Sequence, residues 1–179
     1  QGRRAVLARR SDMQTPGEHN LANALAASAA AIAWGASPAD IGNGLRSFRG
    51  EEHRLELVRE INGVRYYNDS AATAPAAAMA ALAAMTRPVV LIAGGADKNL
   101  DFAELGAVIA QRAKAVLLLQ GTATAKLDAA VHAAGGAATE TFGSLAAALA
   151  RAQELAEPGD VVLLSPGCAS FGMFANEFD

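Results

Sequence analysis

From His53 onward, the chain alternates short, wholly apolar runs with longer alanine-rich segments. Residues 89–93, 115–119 and 161–164 are uninterrupted apolar runs, as expected for strands buried on both faces of a parallel sheet. The segments between them contain stretches of about a dozen residues that are rich in alanine and leucine, which favour helices. The pattern predicts an α/β fold with a mostly parallel, doubly wound sheet and helices on both faces.

An antiparallel hairpin is predicted ahead of these strands. Residues 55–58 and 64–67 have the β-branched and aromatic content of strands. Asn62 and Gly63 lie between them, and an Asn-Gly pair favours the type I′ turn that joins two antiparallel strands.

The N-terminal part of the chain has a helical pattern instead. Residues 17–34 set leucine and isoleucine among alanines, and Gly35 follows as a helix terminator. Ser37 and Pro38 predict the start of a second, short helix. Residues 1–16 are polar and mixed, and they predict a strand remnant followed by a loop.

A domain boundary is predicted where the pattern changes. Residues 48–52 are charged and contain a glycine, as linkers often do. We therefore divide the chain into residues 1–50 and residues 51–179.

Polar loops follow the predicted parallel strands. Right-handed crossovers place the carboxyl ends of all parallel strands at one edge of the sheet, where ligands bind in such folds. Most of the small and polar residues of the domain lie in these loops. The loops are residues 68–73, 94–98, 121–122 and 165–170. Their convergence predicts a ligand-binding crevice.

The first of these loops is a polar turn between a strand and a helix. Pro75 suits the first helical position, and the free N–H groups of a helix start attract anions. Asp69 and Thr73 are therefore candidate ligand-binding residues. The alternative is that Thr73 is only an N-cap and Asp69 only a turn former.

Two basic residues are further candidates. Lys98 follows Gly94 and Gly95, whose spacing matches neither the dinucleotide fingerprint nor a P-loop, although paired glycines allow close backbone approach to a ligand. Lys98 could bind a carboxylate or phosphate, or be a solvated surface lysine. Arg54, near the predicted boundary, could reach a phosphate or belong to a surface pair.

The remaining candidates are weaker. Cys168 has no histidine nearby in sequence, so a buried structural thiol is favoured over a nucleophile. Asn20 and Asn23 share a helix face and could bind a polar ligand or serve as caps. The three histidines are dispersed, so neither a metal site nor a catalytic residue is predicted.

The composition limits the classes of function. The 179 residues are 52% hydrophobic with a net charge of -3, so a real core is available. The charges are scattered, without the basic stripe of a nucleic-acid-binding protein. No apolar run reaches the roughly 18 residues that span a bilayer. The single cysteine fits a reducing compartment. We expect a cytoplasmic protein without nucleic-acid or membrane partners.

Several short motifs occur in the order seen in the Mur ligases, and this resemblance covers nearly the whole chain from about Gly17. Each motif is weak alone, but the ordered set is specific. The motifs are residues 17–27, 53–56, 62–64, 68–73, 94–98 and 164–171.

The resemblance implies a three-domain enzyme. In this family the N-terminal domain holds a UDP-sugar. The central domain holds ATP, Mg²⁺ and a P-loop, and a Rossmann-like C-terminal domain brings the amino acid. Residues 1–50 resemble the end of the central domain, and residues 51–179 resemble most of the C-terminal, glutamate-binding domain. We therefore expect a fragment that lacks the P-loop and is inactive alone, with the Mg²⁺ ligands mostly outside it.

Within the family, the chain is most similar to members that join D-glutamate to UDP-N-acetylmuramoyl-L-alanine. This similarity implies ATP-dependent amide formation through an acyl phosphate, in peptidoglycan precursor synthesis, by a monomer whose partners are small-molecule substrates. It implies that Arg54 reaches the ATP phosphates and Asp69 the ribose. The implied nucleotide contacts are Asn20, Asn23, Arg54 and Asp69, and the implied glutamate contacts are Thr73, Lys98 and Ser170.

Two positions depart from the family pattern. Many members carry a lysine where Ala71 stands. An expected aromatic partner of glutamate aligns with Glu177, and Phe178 is one residue on. These departures leave open a ligase for another amino acid, such as L-glutamate. A non-catalytic nucleotide- or carboxylate-binding module is a further alternative.

Overall fold

The computed structural model describes residues 5–170. The chain forms two compact units, residues 1–51 and residues 52–179, and each is described by itself. Within the described residues, no helix combines the length and apolar character needed to cross a membrane.

Two helices form the first unit, α1 (Glu18–Ala33) and α2 (Pro38–Ser47). Gly35 follows α1 with a φ of 95°, a left-handed conformation that suits glycine. The Ser37 hydroxyl accepts a hydrogen bond from the backbone N–H of Asp40 at 3.2 Å and caps α2. Both helices thus begin and end close to the predicted signals.

The predicted strand remnant is wrong for residues 5–16. These residues contain one turn of 3-10 helix, Arg10–Asp12, and no strand. The Asp12 carboxylate accepts a hydrogen bond from the backbone N–H of Arg9 at 3.0 Å. The Arg9 backbone N–H thus finds its hydrogen-bond acceptor within the segment and needs no partner strand.

The second unit alternates strands and helices after an initial hairpin. Its helices are α3 to α6 and its strands are β1 to β6. In chain order they are β1 (Glu56–Ile61), β2 (Val64–Asn68), α3 (Pro75–Ala84), β3 (Val89–Gly94), α4 (Ala103–Arg112), β4 (Ala113–Leu119), α5 (Thr124–Ala133), β5 (Thr139–Phe142), α6 (Leu145–Leu155) and β6 (Val161–Leu164).

In the part of the chain that the structure describes, six strands form one sheet in the order β1-β2-β6-β3-β4-β5. Strand β1 is antiparallel to β2, and every other neighbouring pair is parallel. The predicted mostly parallel α/β fold is therefore confirmed. The last strand, β6, lies between β2 and β3, so the sheet order reverses there.

The β1–β2 turn has the predicted geometry. Asn62 and Gly63 have φ values of 52° and 79°, the two left-handed residues that a type I′ turn needs. Ile61 and Val64 pair directly across the turn.

Helices cover both faces of the sheet, as predicted. On β3, Leu91 packs in one core cluster with α3, α4 and α5. Val90 and Ile92, which point the other way, pack with Ala148 and Ala152 of α6. Because successive side chains of a strand alternate between faces, a parallel strand covered on both sides must be apolar throughout.

Small residues let the helices approach closely. Gly106 of α4 faces α5, and a Cβ atom at that position would lie 2.5 Å from the carbonyl carbon of Ala130. The alanine-rich composition of this chain therefore corresponds to tight helix packing.

An ion-pair cluster closes the amino-terminal edge of the sheet. Lys114 of β4 contacts the Asp160 carboxylate at 2.6 Å and Glu157 at 3.2 Å. The Asp160 side chain is only 7% exposed and also accepts the backbone N–H of Glu157 at 2.8 Å. Burial alone would raise the pKa of Asp160. The bonds from Lys114 and Glu157 outweigh it and hold that pKa below its ordinary value.

We predict that Asp160→Asn lowers the free energy of unfolding by about 1–3 kcal/mol at pH 7, because Lys114 then lacks its buried charged partner. The Asp160 pKa is lower in the folded than in the unfolded chain. The contribution of Asp160 to the free energy of unfolding is therefore complete above the unfolded-state pKa of about 3.9. It is lost as the pH falls through the folded-state pKa. Urea unfolding of wild type and variant from pH 7 to pH 2 measures this.

Glu157→Gln is the matched control, because the Glu157 side chain is 80% exposed and its ion pair is solvent-screened. We expect a change below about 0.5 kcal/mol for this control. An Asp160→Asn variant as stable as the control at pH 7 would contradict the assignment.

Candidate functional site

Hydrogen bonds join the loops at the carboxyl-terminal edge of the parallel strands. The loop after β6 bonds to the loop after β2 through Gly167 N–H and the Ala72 carbonyl at 2.8 Å. The loop after β3 bonds to the loop after β4 through the Gly95 carbonyl and Ala123 N–H at 3.0 Å. The predicted convergence of the loops is therefore present in the fold.

Asp69 lies inside this edge, with 6% of its surface exposed. Its Oδ2 accepts a hydrogen bond from the Ser165 hydroxyl at 2.7 Å. Its Oδ1 accepts one from the backbone N–H of Leu55 at 3.1 Å. A buried carboxylate requires such partners because desolvation is costly. Asp69 thus ties the start of β1, the β2–α3 loop and the β6 loop together.

Thr73 is not a helix cap. Ala74 holds the N-cap position of α3, with no side-chain cap, and Pro75 takes the first helical position as predicted. The Thr73 hydroxyl instead accepts a hydrogen bond from Lys98 Nζ at 3.4 Å, although the two residues are 25 positions apart. The structure therefore brings two of the predicted glutamate residues into contact.

The loop after β3 requires its glycines. Gly94 and Gly95 have φ values of 107° and 137°, and a Cβ at Gly95 would collide with the carbonyl oxygen of Ala169. Ala96 and Ala169 exchange two backbone hydrogen bonds, of 2.8 and 3.1 Å. This bridge fixes the Lys98 loop against the residue that precedes Ser170.

Asp97 anchors the same loop from the other side. Its carboxylate pairs with Lys126 of α5 and accepts the backbone N–H of Leu100 at 3.2 Å. Its own N–H donates to the Thr122 hydroxyl at 2.9 Å. The bond from Lys126 is the main reason that the pKa of Asp97 lies below its ordinary value. Lys98 therefore directly follows a residue that is held by one ion pair and two hydrogen bonds.

Cys168 is a buried structural residue. It is 1% exposed, and burial, together with the negative charge of Asp97, raises the pKa of its thiol to about 11. A thiol with this pKa is almost entirely protonated near neutral pH and is a poor nucleophile. This agrees with the structural role that the sequence favours.

Arg54 lies in a strained segment. Its neighbours His53 and Leu55 have φ values of 63° and 46°, which are left-handed and unfavourable for non-glycine residues. The Asn68 amide and His53 Nδ1 are 2.9 Å apart, and the His53 carbonyl accepts Ala71 N–H at 3.1 Å. Arg54 is exposed, and its side chain has no hydrogen bond or ion pair within residues 5–170.

The two asparagines lie in the first unit. Asn20, in the first turn of α1, is half-buried and donates its amide to the Pro16 carbonyl at 2.7 Å. Asn23 is exposed one turn further on. Asn20 therefore makes the local bond of a helix start, which was the alternative to a ligand contact.

The site does not coincide with the groove between α4 and α5, and no metal-ligand cluster marks it among the described residues. In the described part of the chain, no group of three or more histidine, cysteine or acidic residues could hold a metal ion. A groove of about 620 Å³ lies between α4 and α5, largely lined by alanines, and it contains none of the predicted site residues. The candidate site is therefore the loop cluster at the sheet edge. Glu177 and Phe178 lie outside the described residues.

Two contributors had no clear sequence signal. Ser165 follows a buried strand, but nothing local shows that it faces Asp69, 96 positions away. Lys126 lies 29 positions from Asp97 on an exposed helix face. Charge pairs and hydroxyl contacts across the fold are set by strand order, which single-residue patterns do not encode.

The family described as "Mur ligase, glutamate ligase domain" matches residues 53–168. This match covers more than half of the chain, which therefore belongs to the Mur ligase family.

Among curated relatives, the chain is similar to proteins named "UDP-N-acetylmuramoylalanine--D-glutamate ligase". It is 54% identical to the one from Roseiflexus sp. (strain RS-1) over 99% of the chain, and 44% identical to that of Pelotomaculum thermopropionicum over 97%. In both cases it spans 38% of the relative's length.

Solved structures agree with the fold. The UDP-N-acetylmuramate-alanine ligase of Thermotoga maritima superposes with a TM-score of 0.68 at 18% identity, over 88% of this chain and 36% of that one. The folylpolyglutamate synthase of Mycobacterium tuberculosis, complexed with ADP, gives 0.70 at 20% identity, over 87% and 39%. At these identities the likeness concerns the fold alone.

We predict that the thiol of Cys168 reacts slowly with N-ethylmaleimide. At pH 8 a thiol with a pKa of about 11 is only ~0.1% thiolate, and burial restricts access as well. We expect labelling at least about 100-fold slower in the folded chain than in urea, followed by mass spectrometry. The single cysteine makes the readout unambiguous. Comparable rates in both states would rule out the buried, protonated thiol.

Proposed function

We propose that this chain is part of an ATP-dependent ligase that joins D-glutamate to UDP-N-acetylmuramoyl-L-alanine. The observation that carries the proposal is the contact between Lys98 and Thr73, with the Ser170 loop bridged to the Lys98 loop. An ammonium group and hydroxyls at one point suit a carboxylate ligand. The names of the relatives point to glutamate as that ligand.

In this proposal the glutamate carboxylates occupy the loop cluster. Lys98 is exposed, so its charge is available to a ligand, and its only bond within residues 5–170 is the long one to Thr73. A carboxylate would replace that contact with a shorter, charge-assisted one. Ser170, half-buried at the end of the β6 loop, supplies a second hydroxyl. By binding the carboxylates, these residues orient the amine of glutamate for attack.

The nucleotide lies on the Arg54 and Asp69 side of the cluster in our proposal. Within residues 5–170 the Arg54 guanidinium has no hydrogen bond or ion pair, so it is available to a phosphate. Asp69 is largely buried and already accepts hydrogen bonds from Leu55 and Ser165, so a contact with the ribose would add to these bonds. We also propose nucleotide contacts for Asn20 and Asn23, which lie in the first unit. Asn23 is the more available of the two, because the Asn20 amide is already bonded.

The chemistry takes two steps. An oxygen of the acceptor carboxylate attacks the γ-phosphorus of ATP, and ADP leaves, which gives an acyl phosphate. The glutamate amine then attacks the acyl carbon through a tetrahedral intermediate, loses a proton and expels phosphate. The residues of this chain contribute positioning and charge stabilisation. The family implies Mg²⁺, but no cluster of metal ligands occurs among the described residues, so we assign it no ligand here.

Whole-protein properties follow from the same proposal. The reaction belongs to the synthesis of peptidoglycan precursors, and hence to cell-wall growth, cell shape and cell division. We propose a monomeric, cytoplasmic enzyme whose P-loop lies outside residues 1–179, the first 50 of which end the central ATP-binding domain.

A second candidate is a ligase of the same superfamily for another amino acid, such as L-glutamate. Ala71 favours it, because many family members carry a lysine there. Here the Ala71 backbone bonds to His53, and its methyl group brings no charge to the cluster. A non-catalytic nucleotide- or carboxylate-binding module would show binding without turnover.

We predict that Lys98→Ala in the full-length protein raises the KM for glutamate at least about tenfold, since a charge-assisted hydrogen bond contributes roughly 1.5–3 kcal/mol. The KM for ATP should stay within about threefold. Phosphate release under varied substrate concentrations measures both. Arg112→Ala is the control, because Arg112 is exposed directly before β4 at the opposite edge of the sheet, and this change should leave both constants unchanged. A normal glutamate KM in Lys98→Ala would remove Lys98 from the site.

We also predict turnover with D-glutamate at least about 100-fold more efficient, in kcat/KM, than with L-glutamate. Residues 1–179 alone should give no product with either. Ligation measured by mass spectrometry of the nucleotide-sugar product tests both statements. Preference for L-glutamate would favour the second candidate, and activity of the 179-residue chain would show that the phosphate-binding machinery lies within it.

A further inference from the structure

We infer that Ser165 is a positioning residue for the nucleotide site, which it does not itself contact. The inference rests on the proposed function. The Ser165 side chain is fully buried, with 0% exposure, so it has no direct access to a ligand. Within residues 5–170 the Ser165 side chain makes one hydrogen bond, the 2.7 Å donation to Asp69 Oδ2.

The geometry limits how Asp69 can move. Its carboxylate is held at one oxygen by the Leu55 backbone and at the other by the Ser165 hydroxyl. Because each bond holds a different oxygen, the two bonds together define the plane of the carboxylate. The backbone N–H of Asp69 also donates to the Leu164 carbonyl at 2.8 Å, so the main chain is fixed already. Ser165 therefore controls the orientation of the side chain rather than the path of the loop.

The same carboxylate links the two halves of the proposed site. Leu55 directly follows Arg54, which we assign to the ATP phosphates, and Ser165 begins the loop that ends at Ser170. Removal of the Ser165 hydroxyl should therefore weaken the binding of ATP more than the binding of glutamate. The Ser170 side retains two other attachments, the Ala96–Ala169 bridge and the Gly167–Ala72 bond.

This selectivity separates a positioning role from a merely structural one. Ser165→Ala in the full-length enzyme should raise the KM for ATP about tenfold. The KM for glutamate and kcat should each stay within about threefold. A residue that only stabilised the fold would lower the melting temperature and leave both KM values unchanged well below that temperature.

Two further variants sharpen the test. Ser165→Cys keeps the shape of the side chain but has only a weak S–H donor, so its ATP KM should also rise, without a new cavity. In an Asp69→Ala background, Ser165→Ala should change the ATP KM by less than about twofold, because the group that it positions is gone.

Ser144→Ala is the matched control. The Ser144 hydroxyl caps α6 at the far end of the sheet, accepting Ala147 N–H at 3.2 Å. Its loss should lower the melting temperature and leave the ATP KM at the wild-type value. Thermal denaturation of every variant accompanies the kinetics.

The outcomes are distinct. A selective rise in the ATP KM for Ser165→Ala and Ser165→Cys, absent from the control and from the Asp69→Ala background, supports the inference. An active wild type with unchanged ATP KM in Ser165→Ala overturns it while the proposed function stands. Equal rises for ATP and glutamate also overturn it. A wild type without ligase activity overturns the proposed function, and the inference with it.

Discussion

The carboxyl-terminal edge of the sheet depends on one buried carboxylate. Asp69 is buried directly after β2. Burial of an ionised carboxylate costs solvation free energy, which hydrogen-bonding or charged partners must compensate. The partners of Asp69 include the Leu55 backbone and the Ser165 hydroxyl, which come from the two ends of the second unit. Satisfying one charge therefore gathers three segments that are distant in sequence. The loops that carry Thr73 and Ser170 begin at these fixed points.

The strand order makes this arrangement available. Strands β3, β4 and β5 lie successively along the sheet with α3, α4 and α5 on one face, and α6 returns the chain on the other face to place β6 between β2 and β3. The loops after β2 and β6 become neighbours there, and the β3 loop flanks them. In open parallel sheets, this reversal point is where a crevice forms.

The two edges of the sheet use charge differently. At the amino-terminal edge, Lys114 and Asp160 form an ion pair, so each of these charges already has a partner within the fold. At the carboxyl-terminal edge, Asp97 is paired with Lys126, but Lys98 beside it has only a long contact with a neutral hydroxyl within residues 5–170. A lysine whose neighbour is held in place, and that has no anionic partner in the described part of the chain, is suited to bind an anionic ligand.

The sequence alone determined the elements and the edge where they converge. Apolar runs such as 161–164 fixed the buried strands, because burial on both faces excludes polar residues, and Asn62-Gly63 fixed the hairpin, because type I′ turns require left-handed backbone. The motifs also selected Thr73 and Lys98, which the fold brings into contact. Only the tertiary structure decided that Ala74 rather than Thr73 caps α3, and that Ser165 and Lys126 hold the loops. These contacts join residues 29 to 96 positions apart, and the order of strands that creates them is a property of the whole sheet rather than of any local pattern.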